Sequence, residues 1–283
     1  MRYNPFESPL TAQAMDYAVP LAGEYAPYAA IHTHFSATTH GVALANTVRY
    51  ERYKPEDTDN REWTKRLGPD VNNLGHMWET LSLAARFIEA TDALAPHTYT
   101  SEQKDLLLTA AVTHDWAEAV VGDITYSQKT TADAQKEDAA FANMLDDYNG
   151  PARTTIARAC AEIIFNDDFK QPLPAAFNAV ERIGYIQTAL RAMHSTVHDQ
   201  STTPELRVGM HWLAADVVKN QISPLIAYAA WQPATKQYLH TNTWRIDQTV
   251  AHADTYGFHP DDDATVSAEA YANARACWRT FSL

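Results

Sequence analysis

The sequence predicts an all-α protein in which a helical core carries extensions at both ends. Apolar residues recur at helical spacing through most of the chain, and alternating strand-like patterns are scarce. The chain has 283 residues, of which 46% are hydrophobic, and this is long enough for a large domain or a core with additions. We divide it into an N-terminal extension (1–60), a core (61–195) and a C-terminal helical extension packed on the core (196–283).

The helices are predicted in order along the chain. Residues 1–60 are rich in Pro, Tyr and Thr, with a helix near "THGVALANTVRYERY" that ends before Pro55. The core has helical patterns in "GHMWETLSLAARF", "SEQKDLLLTAAVTHDWAEAVV", "KEDAAFANMLDDY", "ARTTIARACAEIIF" and "LPAAFNAVERIGYIQTALRAM". The C-terminal part has them in "PELRVGMHWLAADVVKNQISPLIAYAAW" and "SAEAYANARACWRTF". Helices therefore account for the whole regular structure that we expect.

Histidines and carboxylates on two of these helices predict one metal site. His76 opens the first helix, and the second carries the adjacent pair His114 and Asp115, then Glu118 and Asp123. On a helix, Glu118 shares a face with both members of the pair. Imidazole and carboxylate groups can converge on one divalent ion and leave positions open for water and a phosphate oxygen. The pattern therefore indicates metal-assisted hydrolysis, although a single such histidine is more often a hydrogen-bonded core residue.

Two sequence blocks carry a family resemblance. "REWTKRLGPDVNNLGHMWETLSLA" followed by "HDWAEAVVGDITYSQK" resembles the HD-domain phosphohydrolases, and within them the 5'-deoxynucleotidase group, over roughly residues 60–195. The resemblance implies an all-α HD-domain core. It also implies that His76, His114 and Asp115 hold the metal, that Glu118 orients or deprotonates the attacking water, and that Asp123 acts near the phosphate and sugar.

The same resemblance implies four substrate-binding residues, Arg61, Trp63, Arg66 and Lys129. Arg66 and Lys129 would face the phosphate, because a guanidinium fork and an ammonium group both suit phosphate oxygens. Trp63 would pack near the sugar or base, since an indole offers a flat face. The alternative for the Arg-Trp-Arg stretch is a polar loop with one surface tryptophan.

One position departs from the family pattern. The family's last metal ligand is an aspartate on a later helix, and Gly184 falls at that position here. Glu181 stands three residues earlier on the same helical face, and we predict that it takes the place of the missing ligand. Asp167, Asp168 and His194 are the alternatives. If none of them binds metal, the site has three protein ligands, and the alternatives are weak metal binding, a different metal or a non-catalytic HD-domain binding protein.

Charge and composition limit the partners. The chain has 22 basic and 35 acidic residues, a net charge of −13, which argues against a nucleic-acid polymer as partner because such binding neutralises many phosphates. A small anionic nucleotide remains compatible, because a metal and a few local cations suffice to bind it. Two cysteines, without zinc-knuckle or disulfide spacing, indicate reduced thiols. With neither a signal-peptide pattern nor a membrane-length apolar run, we expect a cytoplasmic protein without a membrane partner; the extensions are candidates for a homo-oligomer interface.

The predicted function is a metal-dependent nucleotide phosphohydrolase that releases phosphate from (deoxy)nucleoside 5'-monophosphates. A dNTP triphosphohydrolase on the same scaffold is the alternative. The metal is expected to be a divalent transition metal, namely Mn, Co, Fe, Ni or Zn, because His and Asp ligands suit these ions. His32, His34 and His40 in "AIHTHFSATTH" raise a different class, the barrel amidohydrolases, but the sequence lacks the eight strands that a barrel requires.

Overall fold

A computed structural model of the protein describes residues 4–7, 23–68, 71–122 and 130–282. Within these ranges the regular structure is helical, and the only extended pairing is an isolated bridge between Val48 and Asn72. The all-α prediction is therefore confirmed, and the barrel alternative is wrong, because no strand occurs in the described ranges. His34 and His40 lie on helices and not at a strand end.

The described α-helices follow one another in this order: α1 Ala26–Ser36, α2 Thr39–Asn46, α3 Asn60–Leu67, α4 Asn73–Leu94, α5 Ser101–Thr113, α6 Glu118–Val121, α7 Thr131–Met144, α8 Gly150–Ala159, α9 Pro172–His198, α10 Pro204–Ala229, α11 Pro233–Thr241, α12 Thr243–His252 and α13 Ala264–Ser282. Short 3-10 turns cover Gly23–Tyr25, Glu51–Tyr53, Leu145–Asp147 and Ala253–Tyr256, and a π-helical turn covers Cys160–Ile164.

The centre of the fold is α9, which packs against α4, α5 and α10. Buried residues occur on all sides of this helix, as expected for a helix that is apolar all round. Side chains from the C-terminal part, such as Leu225, Tyr238 and Trp278, belong to the same apolar cluster as Leu81 and Leu107 of α4 and α5. The C-terminal helices thus share one hydrophobic core with the helices that carry the candidate site residues.

The helix predicted over "THGVALANTVRYERY" is shorter than expected. It ends at Asn46, and the chain then runs as a strap, residues 47–53, along the entry to α4. In this strap the Arg49 N–H donates to the Val71 carbonyl at 2.7 Å. The strap also lies against α10, where a methyl group on Gly209 would overlap the Tyr53 carbonyl. Contacts made by the extended backbone therefore override the local helical pattern.

The helix predicted through the His-Asp pair is also interrupted. α5 ends at Thr113, residues 114–117 form turns, and the chain resumes as the short α6. Trp116 in this turn is fully buried and stacks on Phe35, with ring centres 4.6 Å apart, and on Tyr148 at 5.1 Å. Aromatic packing of this kind holds the turn in place between two helices.

Two further observations concern the chain as a whole. No helix in the described ranges has an apolar stretch long enough to cross a membrane. Both cysteines are free: Cys277 is exposed, whereas Cys160 is buried, and this burial raises the pKa of its thiol to about 12.

Candidate metal centre

Four polar side chains from three parts of the chain meet in one cluster. His76 comes from the first turn of α4, His114 and Asp115 from the turn after α5, and Glu181 from α9. His114 Nε2 lies 3.2 Å from Asp115 Oδ1 and 3.3 Å from Glu181 Oε1. His76 Nε2 lies 3.9 Å from Asp115 Oδ2 and 4.0 Å from Glu181 Oε1. We call these four residues the metal cluster.

Helix ends position these side chains. The Asn72 side chain caps α4 by accepting the Gly75 N–H at 2.8 Å, which places His76 in the first turn. At the end of α5, the His114 N–H donates to the Ala110 carbonyl at 3.0 Å, and His114 is the C-terminal cap of that helix. The capping interactions therefore bring one histidine from a helix start next to another from a helix end.

The hydrogen bond of His114 determines what its ring can do. Nδ1 lies 3.2 Å from the Ala111 carbonyl, which is an acceptor only, so Nδ1 carries the proton. Nε2 then has a lone pair, and this buried atom has no hydrogen-bond partner in the described part of the chain. The nitrogen faces the oxygens of Asp115 and Glu181, and a cation bound between these atoms would contact all three groups. This orphaned nitrogen fits a metal ligand oriented by a backbone carbonyl.

The charges of the metal cluster also fit a cation. Burial by itself would raise the pKa of Glu181, but His76, His114 and Arg49 nearby outweigh it, so this pKa lies below its ordinary value. The carboxylates of Glu181 and Asp115 thus lie beside the two imidazole rings, and a divalent ion bound among them would balance their charge. Within the described residues, donor atoms of His76, His114 and Glu181 all lie within 4.8 Å of one another, which is close enough for one ion. Nitrogen and carboxylate ligands suit Mn, Fe, Co, Ni or Zn.

Glu118 lies next to the metal cluster at the start of α6. Its carboxylate accepts a hydrogen bond from the side-chain amide of Asn73, and its N–H donates to the Asp115 carbonyl at 3.0 Å. Asn73 is fully buried in the same helical turn as His76. One turn of α4 thus positions both a candidate ligand and the candidate base. The sequence analysis did not select Asn73. The feature that could have indicated it is an amide side chain three residues before the candidate ligand His76.

Arg49 is the second residue that sequence reasoning missed. Its Nη1 lies 3.5 Å from Asp115 Oδ2, and the residue is only 6% exposed. The guanidinium carbon lies 5.5 Å from the centre of the Tyr185 ring and 5.3 Å from that of Tyr50. Arg49 belongs to the strap, within the residues assigned to the N-terminal extension. The N-terminal part of the chain therefore contributes a cation to the candidate site.

The three residues predicted before α4 have other surroundings. Arg61 is exposed on α3, and Trp63 is fully buried with its indole N–H 3.4 Å from the Arg49 carbonyl. Arg66 is buried, and its Nη1 donates to Asp199 Oδ2 and to Thr202 Oγ1, each at 2.7 Å. A buried guanidinium needs such partners. The contacts described for Trp63 and Arg66 are thus with the protein itself, and a substrate role for the three residues stays a prediction.

Two predicted residues, Asp123 and Lys129, lie outside the described residues. Their proposed roles at the phosphate and the sugar therefore stay predictions.

Among the candidates for the fourth ligand, the structure brings Glu181 to the metal cluster. Gly184 is buried, and a Cβ atom there would lie 3.4 Å from the Leu83 methyl group, so this position faces the apolar side of α4. Asp167 and Asp168 are exposed before α9 begins, and His194 lies 3.1 Å from an Arg245 nitrogen. Gly184 therefore faces apolar side chains of α4, whereas Glu181, about one turn earlier in α9, faces the two histidines.

Comparison with known protein families finds one match, which covers part of the chain. Residues 73–184 match the HD domain. This HD segment starts at Asn73 and ends at Gly184, and it contains every member of the metal cluster. HD domains form a superfamily of metal-dependent phosphohydrolases. Neither the curated proteins nor the solved structures give a match to the chain.

The first prediction tests Glu181 as a ligand. Glu181→Ala should lower the affinity for the divalent ion by at least roughly 10–100-fold, the loss typical of removing even an outer-shell partner. Metal content after dialysis, measured by elemental analysis, reads this directly. Asp167→Ala is the matched control and should retain the wild-type content, because that carboxylate is exposed and outside the metal cluster. Equal metal content in the two variants would exclude Glu181 as a ligand.

Proposed function

We propose that the protein is a metal-dependent phosphohydrolase that acts on nucleotides and releases phosphate from (deoxy)nucleoside 5'-monophosphates. The observation that carries the proposal is the meeting of two histidines and two carboxylates inside the HD segment, with the partnerless His114 Nε2 facing both carboxylates. A bound cation would give this buried nitrogen the partner that it lacks among the described residues.

His76, His114, Asp115 and Glu181 would hold the ion. When bound, such an ion supplies Lewis acidity at a phosphate oxygen and makes water a better nucleophile at neutral pH. These four side chains are between 3% and 23% exposed. Their burial lowers the local dielectric constant, which strengthens electrostatic interactions at the site.

Glu118 is the proposed base. Its carboxylate takes a proton from the attacking water as the water oxygen bonds to phosphorus. The bond from phosphorus to the ester oxygen breaks, and the proton taken by Glu118 becomes available to the departing nucleoside oxygen. Asn73 holds the Glu118 carboxylate beside the first turn of α4, so the base keeps a fixed position relative to His76.

Arg49 is proposed to stabilise the charge on the phosphate oxygens. Its guanidinium already lies beside Asp115, and Tyr50 and Tyr185 pack against its planar face. A guanidinium held in this way is preorganised for a phosphate and loses little freedom on binding. By the family resemblance, Lys129 would add a second cation and Asp123 would act near the sugar.

The choice of a nucleoside monophosphate as substrate rests on the resemblance to the 5'-deoxynucleotidase group. The negative net charge of −13 supports a small substrate over a polymer, because only a few local cations are needed for a single phosphate.

The test is a substrate panel. The purified full chain is incubated with each dNMP and dNTP in the presence of manganese, cobalt or magnesium, and the products are separated by chromatography. Nucleoside and phosphate from a monophosphate would support the proposal, whereas triphosphate release from a dNTP would replace it with the triphosphohydrolase alternative. No turnover of any nucleotide with any metal would overturn catalysis and favour a non-catalytic HD-domain binding protein. His114→Ala serves as the inactive control.

The second prediction concerns Arg49. Arg49→Gln should lower kcat/KM for the phosphorylated substrate by roughly 10–100-fold, since a hydrogen bond to a charged group contributes about 1.5–3 kcal/mol. Steady-state kinetics at saturating metal measure this effect. Arg52→Gln is the matched control. Arg52 is an exposed arginine of the same strap, and it pairs with Asp262, whereas Arg49 pairs with Asp115. A wild-type kcat/KM in Arg49→Gln would exclude the phosphate role.

A further inference from the structure

A cavity lies near the C-terminal end of α9, away from the metal cluster. It has a volume of about 270 Å³ and is bounded by the C-terminal half of α9, the start of α10, α12 and the 3-10 turn Ala253–Tyr256. Within α9 it begins at Leu190, and its central residue His194 lies roughly 20 Å along the helix from Glu181, at 1.5 Å per residue. This cavity is therefore separate from the metal cluster.

The charge of the cavity is of one sign. Its lining contains two arginines and four histidines, and no aspartate or glutamate is among the residues that line it: Arg207, Arg245, His194, His198, His211 and His252 supply the basic groups. The chain as a whole has a net charge of −13, so a lining without acidic groups differs sharply from the average surface. A concave site lined by one sign of charge concentrates ions of the opposite sign.

The basic groups are held close together. Arg245 Nη1 lies 3.1 Å from His194 Nδ1, and the His194 and His198 rings are centred 4.4 Å apart. Arg207 Nη1 donates to the Thr196 carbonyl at 2.5 Å, and no described carboxylate lies within salt-bridge distance of it. Burial lowers the pKa of His194, and the charges of Arg245 and His198 lower it further. The lowered pKa favours the neutral His194 ring, so Arg207 and Arg245 are the charged groups of the cavity that attract an anion.

Aromatic rings form the rim of the same cavity. Trp244 is 62% exposed and Tyr256 is 46% exposed. The Arg245 guanidinium carbon lies 4.8 Å from the centre of the Trp244 ring. An exposed indole beside a guanidinium provides a flat surface on which a planar ring can stack next to the group that binds an anion.

We propose that this cavity is a second ligand site, which binds a small phosphorylated metabolite that carries a planar ring. The basic lining binds the phosphate, and the aromatic rim receives the ring. Small-molecule pockets range over roughly 300–1,000 Å³, and this cavity of about 270 Å³ lies just below that range, so the proposed ligand is no larger than a mononucleotide. The site is independent of the proposed hydrolysis, because it shares no residue with the metal cluster.

The experiment is calorimetric titration of AMP into the full chain in the presence of EDTA. We expect saturable binding to the wild type and to His76→Ala, because the metal cluster takes no part. The double variant Arg207→Gln/Arg245→Gln should bind AMP at least about tenfold more weakly, because each substitution removes a charged donor to the phosphate. Arg153→Gln, which removes an exposed arginine outside the cavity, should bind as the wild type does.

A second variant separates binding from folding. Trp244 is largely exposed, so Trp244→Ala should melt at the wild-type temperature and still bind AMP more weakly, whereas inorganic phosphate should bind equally well to this variant and to the wild type. AMP binding that survives in both Arg207→Gln/Arg245→Gln and Trp244→Ala would overturn the proposal. The absence of AMP binding to the wild type would overturn it too, as would binding that disappears in His76→Ala.

Discussion

Replacing Glu118 with glutamine is expected to lower kcat for phosphomonoester hydrolysis by roughly 10²–10⁴-fold, the usual contribution of a positioned acid-base group. Glutamine keeps the shape of the side chain and an oxygen for the Asn73 amide, but it cannot take a proton from water. Metal content should stay at the wild-type level, because Glu118 is not a member of the metal cluster. Steady-state kinetics and elemental analysis on the same preparation measure both effects.

Two controls make this result specific. Glu162→Gln changes a partly exposed glutamate that pairs with Arg158 and should leave kcat unchanged. Asn73→Ala removes the partner of Glu118 and should lower kcat without a comparable loss of metal, because it disturbs the position of the base and not its chemistry. A kcat near the wild-type value in Glu118→Gln would contradict the assignment of the base.

Replacing Arg191 with leucine is expected to destabilise the protein by roughly 3–5 kcal/mol. Arg191 Nη2 lies 2.6 Å from Glu79 Oε1, and the two side chains are 0% and 1% exposed. The variant would leave the Glu79 carboxylate buried without the charge of Arg191, and a buried charge that has lost its partner is strongly destabilising. Thermal unfolding should shift downward by roughly 2 °C per kcal/mol, the value for the largest single domains, and denaturant titration should report the loss directly.

The double variant Glu79→Leu/Arg191→Leu tests the cause. Replacing both charges with apolar groups is often neutral or stabilising, so most of the lost stability should return. If the single and double variants are equally unstable, the loss comes from packing and not from the unpaired charge. Glu79 lies in α4 and Arg191 in α9, the helices that carry His76 and Glu181, so the ion pair also fixes the relative position of these two ligands.

The same ion pair explains a glycine. Gly68 ends α3 with a φ of 79°, a conformation that favours glycine, and a Cβ atom there would lie 2.6 Å from Arg191 Nη1. Both the backbone angle and the space taken by the guanidinium therefore require the absence of a side chain at this position.

Local patterns predicted most of the helices and selected candidate ligands that the structure brings close together. Helical spacing of apolar residues predicted α4, α9 and α10, because the buried face of a helix requires apolar residues every three to four positions. Glu181 was selected because Gly184 has no side chain to bind metal and Glu181 stands three residues earlier on the same helix, and the structure places the Glu181 carboxylate beside His114. Where a neighbouring segment competed, the pattern was misleading: it predicted helix in the strap, whose backbone instead contacts the entry to α4 and Gly209.

By itself, the sequence determined the helical class, the family resemblance and the set of histidines and carboxylates from which a metal centre can be built. Only the tertiary structure decided that Arg49 joins Asp115 across 66 residues, that Arg66 is bound to Asp199 across 133, and that Asn73 holds Glu118. It also decided that basic residues from α9, α10 and α12 surround one cavity. The reason is physical: periodicity records which face of a helix is buried, whereas the partner of a buried charge depends on how distant helices pack.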